Sequence, residues 1–311
     1  MVIPALNEAA TIADVIARVP RDIPGINEVF VLVVDDGSTD ETATLARNAG
    51  AEVVSHSVNK GVGAAFQTGV ERALGMGAEY VVNMDGDGQF NPDDIRKLLA
   101  PLLEQRAEVA TASRFMDPSL RPEMTRIKLY GNRMMSRLIS RLCGKRFYDV
   151  SCGFRAYTRD ALLRLNLFGA FTYTQETFLD LTFKGVPIQE VPVQVRGTRE
   201  FGRSRVASNL FTYAFQTGKI IFRSYRDYRP MHLFGGIAAM LFLLSLALGA
   251  FFIGHYFVRG TFSPHIWAGM TSGALLGLGT LSFITGLVAD MLARMRVNQE
   301  RMLYLLKKQD R

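Results

Sequence analysis

Ten consecutive residues carry most of the structural information in this chain: Tyr80-Val81-Val82-Asn83-Met84-Asp85-Gly86-Asp87-Gly88-Gln89. An aromatic and β-branched run favours a buried strand, and the glycines and aspartates that follow it favour a tight loop. In open α/β sheets, ligands bind outside the carboxyl ends of the strands. This segment therefore predicts an α/β fold with a ligand site at the strand ends.

The same arrangement of an apolar run followed by a polar loop recurs along the chain. Residues 29–34 lead into Asp35-Asp36, residues 51–54 precede a loop at Asn59-Lys60-Gly61, and residues 109–113 lead into Arg114. Helical patterns lie between these runs, at residues 8–19, 40–49, 63–76 and 92–104. Buried strands that alternate with helices predict a mostly parallel sheet, whose acidic loops share one edge.

Three oxygen-bearing side chains follow the strand of residues 80–84 at alternate positions: Asp85, Asp87 and Gln89. Mg²⁺ and Mn²⁺ favour oxygen ligands of this kind, together with substrate phosphates. Gly86 and Gly88 would let the backbone approach a ligand closely. The alternative is a glycine-rich turn with solvated acids. We expect the metal site, because the loop ends a buried strand beside other acidic strand ends.

Two neighbouring acidic positions have alternatives when taken singly. Asp35-Asp36 could simply cap the helix that follows, and Glu8 could be a first-turn helix charge. Together with the loop at Asp85, they predict one site.

The C-terminal part contains two segments without Asp, Glu, Lys or Arg, at residues 233–258 and 260–289. Each exceeds the ~20 apolar residues that cross a bilayer, so we expect two transmembrane helices. Lys and Arg flank the outer ends of the pair, whereas the connecting loop offers only Arg259. Because these residues collect on the cytoplasmic side, we expect an integral inner- or plasma-membrane protein with both termini and its soluble part in the cytoplasm.

The net charge of +7 fits attraction to anionic headgroups, and we expect no nucleic-acid partner. The two cysteines, Cys143 and Cys152, are too few for a disulfide framework.

A basic amphipathic helix is predicted within residues 121–146, which combine eight Lys and Arg with spaced apolar residues and one Glu. Such a helix would lie in the membrane interface, where Arg126 could meet a lipid phosphate. The alternative is a core-packed helix with a solvated basic face. Residues 206–229 predict a second interfacial helix.

Several motifs, in this order, resemble the family 2 glycosyltransferases of GT-A fold: Ile3-Pro4-Ala5-Leu6-Asn7-Glu8, Val34-Asp35-Asp36-Gly37-Ser38, Asn59-x-Gly61 and Asp85-x-Asp87-x-Gln89. Further motifs resemble the polyprenyl-phosphate glycosyltransferases, which include dolichyl-phosphate mannose synthases and bacterial undecaprenyl-phosphate glucosyltransferases: Asp149-Val150-Ser151-Cys152-Gly153-Phe154-Arg155, Gln175-Glu176 and Arg199-x-x-Gly202-x-Ser204-Arg205. The resemblance covers about residues 2–230. It implies a Rossmann-like GT-A domain, and two C-terminal spans are typical of one branch.

The resemblance also implies roles for the matching positions. The residues that would hold the nucleotide sugar are Pro4, Leu6, Glu8, Val34, Asp36, Asp85, Gly86 and Arg114. Asp85, Asp87 and Gln89 would ligate Mg²⁺ or Mn²⁺, with Asp85 also near the ribose and diphosphate. Arg199 and Arg205 would bind diphosphate or lipid phosphate.

The chemistry expected of such a site is an inverting transfer of a hexose from a nucleotide sugar to a membrane polyprenyl phosphate. A lipid monophosphate is already an anionic nucleophile near neutral pH, so no strong general base is needed. Asp87 and Arg199 would supply charge neutralisation. Asp149 and Glu176 would orient the sugar or acceptor, or alternatively be a buried hydrogen-bonded acid and a surface helix charge.

The expected organisation is a catalytic domain at 1–205, a juxtamembrane helix at 206–230, a transmembrane hairpin at 231–290 and a basic tail at 291–311. A processive polysaccharide synthase and a non-catalytic nucleotide-sugar-binding protein are the alternative functions. The sequence leaves open the sugar, the base and the oligomeric state. Gly269, Gly273 and Gly277 recur every four residues and predict a packing strip, toward the other span or toward a second copy of the chain.

Overall fold

The computed structural model describes residues 1–167, 173–196 and 210–309, with the backbone alone at 210–217. Arg199 and Arg205 lie outside the described residues. The strands are β1 (Val2–Ala5), β2 (Leu32–Asp35), β3 (Glu52–Ser55), β4 (Tyr80–Asn83), β5 (Val109–Ser113), β6 (Arg155–Thr158) and β7 (Ile188–Pro192). The helices are α1 (Ile12–Ala17), α2 (Thr42–Asn48), α3 (Val62–Gly75), α4 (Ile95–Leu103), α5 (Arg126–Cys143), α6 (Arg159–Arg164), α7 (Thr174–Phe183), α8 (Leu210–Tyr228), α9 (Pro230–Arg259) and α10 (Ile266–Gln309).

The chain divides into two compact units. The first unit contains Met1–Ile221 together with Tyr304–Arg311, and the second contains Phe222–Leu303. The end of α10 therefore belongs to the first unit, although α9 and the rest of α10 belong to the second.

A seven-stranded sheet in the order β3-β2-β1-β4-β6-β5-β7 forms the centre of the first unit. All neighbouring strands are parallel except β6, which runs antiparallel to both β4 and β5. The predicted mostly parallel sheet is thus confirmed. The sequence analysis did not predict β6 and β7, which add the antiparallel element and one edge.

The sheet is covered by apolar side chains on both faces, which explains why the central strands β1, β2 and β4 consist mainly of apolar residues. Successive residues of β1 point to opposite faces. Ile3 joins the cluster that includes Ile12 of α1, whereas Val2 joins the cluster that includes Phe66 of α3.

Helix α5 confirms the predicted basic amphipathic helix, and both of its faces are now defined. Its inner face, with Ile139 and Cys143, packs against a cluster that includes Phe178 of α7. Four large apolar side chains remain exposed and form what we call the outer face of α5: Ile127, Tyr130, Met134 and Leu138. Their spacing of three and four residues places them on one side of the helix.

The second unit contains two helices long and apolar enough to cross a membrane, α9 and the first part of α10. Only 11% of the most apolar stretch of each helix is buried, whereas the core helices of a water-soluble protein are mostly buried.

The predicted glycine strip is only partly a packing surface between these helices. A Cβ atom on Gly269 would lie 2.7 Å from the ring of Phe252, but no described residue comes within 4 Å of one on Gly273 or Gly277. The contact instead continues at Gly279, where a Cβ would lie 2.7 Å from the Phe242 ring. A four-residue spacing drifts around a helix of 3.6 residues per turn, so the predicted strip leaves the interface after one turn.

Polar contacts support the same interface. Ser245 and Ser272 each donate a hydroxyl hydrogen bond of 2.8 Å to the other's carbonyl oxygen. In a hydrocarbon environment such bonds satisfy groups that have no water partner.

Candidate active site

The carboxyl ends of β1, β2 and β4 lie side by side in the sheet, with β1 in the centre. From β1 the chain adds β2 and β3 on one side, and then crosses to the other side of β1 to form β4. The direction in which strands are added therefore reverses at β1. Such a switch point opens a crevice for ligands. The structure thus places the loops that carry Leu6 and Glu8, Asp36, and Asp85 and Asp87 at the same edge of the sheet.

Hydrogen bonds join the loops after β1 and β2. The backbone N–H of Asp36 donates to the Ala5 carbonyl oxygen at 2.9 Å, and that of Asn7 donates to Ser38 Oγ at 2.8 Å. The Glu8 N–H donates to Thr42 Oγ1 at 2.8 Å. These bonds give the two loops a fixed relative geometry before any ligand binds.

The Asp36 carboxylate is buried at the start of α3. Its Oδ1 accepts the Lys60 N–H at 2.9 Å and its Oδ2 accepts the Gly61 N–H at 2.8 Å. His56, which the sequence analysis did not single out, places Nδ1 2.7 Å from Asp36 Oδ1. The motif Asn59-x-Gly61 therefore serves to hold Asp36.

A hydrogen bond and core packing fix the loop after β4 on its inner side. Thr11 donates its hydroxyl to the Gly86 carbonyl oxygen at 2.7 Å. A Cβ atom on Gly86 would lie 3.2 Å from Ile12 and 3.3 Å from Ile3, closer than most such contacts. Gly86 thus lets the loop lie close to the core beneath it, in addition to the predicted approach to a ligand.

The two acids of this loop differ in their surroundings. Asp87 is almost fully buried, and its Oδ1 accepts the N–H of Gln89 at 3.1 Å. The Asp85 carboxylate lies above Gly153, where a Cβ atom would be 3.4 Å from both of its oxygens. A glycine at position 153 therefore leaves room for the Asp85 side chain.

The chemistry of this donor set fits a hard divalent cation. Two carboxylates and the amide of Gln89 offer oxygen ligands, and substrate phosphates commonly complete such a site. Among the described residues, no group of three His, Cys, Asp or Glu side chains could hold a metal by itself. Asp85, Asp87 and Gln89 fit this chemistry, in which phosphate oxygens of a bound substrate supply further ligands.

Tyr173 is buried beneath the Asp85 loop and was not predicted. Asn83 donates a side-chain hydrogen bond of 2.6 Å to its hydroxyl oxygen, and the hydroxyl donates to the Gly153 carbonyl oxygen at 3.3 Å. Burial, together with the charge of Asp85, raises the pKa of Tyr173 well above its usual value. The phenol therefore remains protonated and donates to the Gly153 carbonyl oxygen, next to the Asp85 side chain.

Arg114, which is partly exposed, forms a bidentate ion pair with the buried carboxylate of Asp149. The Nε of Arg114 lies 2.6 Å from Asp149 Oδ2, and Nη2 lies 2.9 Å from Oδ1. Glu190 of β7 accepts the backbone N–H groups of Tyr148 and Asp149, both at 2.8 Å. Asp149 is thus a hydrogen-bonded acid, and Arg114, predicted to contact donor phosphate, is held by it.

The two residues of the predicted motif Gln175-Glu176 lie in the first turn of α7. Gln175 and Glu176 are buried, so Glu176 is not a surface helix charge. Arg155 is also buried and donates to the carbonyl oxygens of Val150, Cys152 and Thr174. It therefore ties the loop after Asp149 to the first turn of α7.

The remaining predicted residues occupy different positions. Pro4 and Val34 are buried within β1 and β2, and the Val34 side chain faces α3 in the core. Arg126 is exposed at the start of α5. Gln89 donates its amide to the Arg196 carbonyl oxygen at 3.1 Å, three residues before Arg199.

A family model described as glycosyl transferase family 2 matches residues 1–165. The chain belongs to glycosyltransferase family 2. This confirms the resemblance inferred from the motifs, and the protein is a glycosyltransferase.

Individual relatives support the same family. The chain is 33% identical to glycosyltransferase AglJ of Haloferax volcanii, over 95% of this chain and 94% of that protein. It is 28% identical to polyprenol monophosphomannose synthase of Mycolicibacterium smegmatis, over 67% and 81% of the two chains. The structure of glucosyl-3-phosphoglycerate synthase from Mycobacterium tuberculosis, in complex with Mn²⁺, UDP and glucosyl-3-phosphoglycerate, matches with a TM-score of 0.55 at 23% identity. That match covers 72% and 78% of the two chains and supports the GT-A-like fold.

Proposed function

We propose that this protein transfers a hexose, with inversion, from a nucleotide sugar of the UDP-glucose or GDP-mannose type to a membrane polyprenyl phosphate. The observation that carries the proposal is the combination, in one chain, of a family 2 catalytic unit with two membrane-length helices. Similarity to a polyprenol monophosphomannose synthase supports the acceptor class.

The reaction needs little proton transfer, because a phosphate monoester is already an anionic nucleophile near neutral pH. The acceptor oxygen attacks the anomeric carbon in line with the departing nucleoside diphosphate, which inverts the configuration. Catalysis then depends on positioning and on neutralising the leaving group. A Mg²⁺ or Mn²⁺ ion held by Asp85, Asp87 and Gln89 would stabilise the charge of the diphosphate.

The chain's own residues would bind and orient the two substrates. The loops after β1 and β2, with Leu6, Glu8 and Asp36, would hold the nucleoside. Asp149 and Glu176, which is buried in the first turn of α7, would orient the sugar or the acceptor. Arg199 and Arg205 would bind phosphate, and guanidinium suits this role because it makes bidentate bonds.

The acceptor would reach the site along the outer face of α5. This face combines exposed apolar side chains with arginines, which is the composition of a helix that lies in the headgroup layer. Arg126 would contact a lipid phosphate there.

The proposed topology places the catalytic unit and the end of α10 together in the cytoplasm. Tyr304, at the end of α10, hydrogen-bonds through its hydroxyl to Asp160 of α6, and the Arg164 guanidinium lies 5.4 Å from the centre of its ring. Because both predicted spans lie between α6 and Tyr304 in the chain, this contact supports a hairpin with both ends on one side.

The test is to incubate the full-length protein in bilayers with radiolabelled nucleotide sugars and undecaprenyl or dolichyl phosphate. Label that enters the lipid extract, on a product labile to mild acid, is expected. Label in a polymer would indicate a processive synthase instead, and binding without transfer would indicate a non-catalytic protein.

A further inference from the structure

His56 connects β2, β3 and α3 at the edge of the sheet that carries Asp36. It follows β3, and its backbone N–H donates to the Asp35 carbonyl oxygen at 2.8 Å. Its ring is almost completely buried and lies between Asp36 and α3. Nδ1 is 2.7 Å from Asp36 Oδ1, and Nε2 is 3.0 Å from Oγ1 of Thr68.

The surrounding donors determine the direction of the hydrogen bond between His56 and Asp36, and a neutral ring then sets the direction of the bond to Thr68. Asp36 accepts backbone N–H groups at both oxygens, so it acts as an acceptor toward the imidazole as well. His56 Nδ1 is therefore the donor to Asp36. In a neutral ring, Nε2 is then an acceptor, and the Thr68 hydroxyl donates to it. The order of donation is Thr68 to His56 to Asp36.

The His56 ring further restricts the rotation of the Asp36 carboxylate, which already accepts two backbone hydrogen bonds. A carboxylate has about four acceptor positions. Among the described residues, His56 and Lys60 donate to Oδ1 and Gly61 donates to Oδ2. A rotation of the carboxylate about its Cβ–Cγ bond would break the His56 bond, so the ring fixes which side of Oδ2 can accept a further donor.

We infer that His56, held by Thr68, is a positioning residue that fixes the Asp36 carboxylate for binding the base of the nucleotide sugar. This inference rests on the proposed function. A fixed acceptor favours a base with a ring N–H donor, as in uracil or guanine. It disfavours cytosine or adenine, which present an unprotonated ring nitrogen at the corresponding position.

The Thr68 hydroxyl provides the cleanest test, because Thr68→Val removes the donor to His56 at nearly constant volume and Thr68→Ser retains it. Calorimetry on the full-length protein in nanodiscs with excess Mg²⁺ would measure affinity for UDP, CDP, GDP and ADP. We expect Thr68→Val and His56→Leu to weaken binding of the preferred nucleotide about fivefold, the change that corresponds to the loss of one typical hydrogen bond. Thr68→Ser should restore it.

The same measurements separate positioning from a purely structural role. The ratio of affinities within each pair, UDP to CDP or GDP to ADP, should fall in Thr68→Val, with melting temperature and kcat at saturating donor nearly unchanged. Unchanged affinity and unchanged ratio in Thr68→Val would overturn the inference, whether or not His56→Leu folds. A wild-type protein that binds none of the four nucleotides would overturn the proposed function itself.

Discussion

At the scale of single residues, Asp87 offers the most direct test of metal dependence, because it is buried in the loop after β4. Asp87→Asn keeps the shape of the side chain and removes its charge. We expect at least a 100-fold loss in kcat, comparable to removing one strong electrostatic contact from an active site. The melting temperature should stay near that of the wild type.

The matched control is Asp93→Asn, which removes an exposed carboxylate just after the same loop. It should leave transfer unchanged. Normal turnover by Asp87→Asn, or full wild-type activity in EDTA, would contradict the metal site.

Glu190 predicts a pH-dependent contribution to stability. Burial raises the pKa of this carboxyl above its ordinary value of 4.5, while the Tyr148 and Asp149 N–H groups partly oppose the shift. The folded protein then holds a proton that the unfolded chain releases, so this stabilisation is present at low pH and is lost as pH rises. We expect the advantage of wild type over Glu190→Gln in melting temperature to shrink from about pH 4 to about pH 7. A constant difference would contradict the shift.

The predictability of single residues depended on whether their partners are close in sequence. The acidic loop after β4 could be predicted because strand, glycines and acids are contiguous. The Arg114–Asp149 pair could not, because its members are brought together by β6, whose antiparallel insertion has no local signal. His56 was missed for a similar reason, since a lone histidine after a strand carries no motif.

At the scale of elements, the contact between α9 and α10 gives a prediction with an internal control. Gly279→Leu would force a side chain into the Phe242 ring, whereas the first atom of a side chain at Gly277 would meet none of the described residues within 4 Å. Overpacking of this kind costs about 1–3 kcal/mol, so Gly279→Leu should lower the melting temperature in detergent. Gly277→Leu should leave it unchanged. A lower melting temperature for Gly277→Leu than for Gly279→Leu would show that the helices pack through the predicted strip of Gly269, Gly273 and Gly277.

The outer face of α5 predicts a defect that depends on the acceptor. Met134→Glu places a charge among exposed apolar side chains, where it would oppose contact with lipid. We expect a severalfold rise in KM for a long-chain polyprenyl phosphate in bilayers and no change for a short, water-soluble analogue. Met116→Glu, at an exposed position outside the helix, is the control. Equal effects on both acceptors would indicate a general structural defect.

At the scale of the whole molecule, the proposed topology can be tested by thiol labelling. Cys143 and Cys152 are both buried, and burial raises the pKa of Cys152 to about 12, so the background should be low. In intact cells, an impermeant maleimide should label Ser263→Cys in the loop between the spans. It should label Thr44→Cys and Gln309→Cys only after lysis. Labelling of Gln309→Cys in intact cells would contradict the hairpin.

The sequence was sufficient for the overall architecture because its strongest signals are local. Strands β2 to β5 and both membrane-length helices are contiguous apolar runs, and α5 has an amphipathic period. The return of Tyr304 to α6 was not predictable, because it joins residues 144 positions apart through one aromatic ring and a few polar bonds.

The docking of Tyr304 on α6 also has a consequence for biosynthesis. Residues 1–221 leave the ribosome well before Tyr304, which follows both apolar helices. The surface around Asp160, Arg164 and Leu167 therefore stays uncovered until the end of α10 has been synthesised. A soluble truncation that ends before α9 would keep this surface permanently exposed, and it would suit expression better with Leu167 replaced by a polar residue.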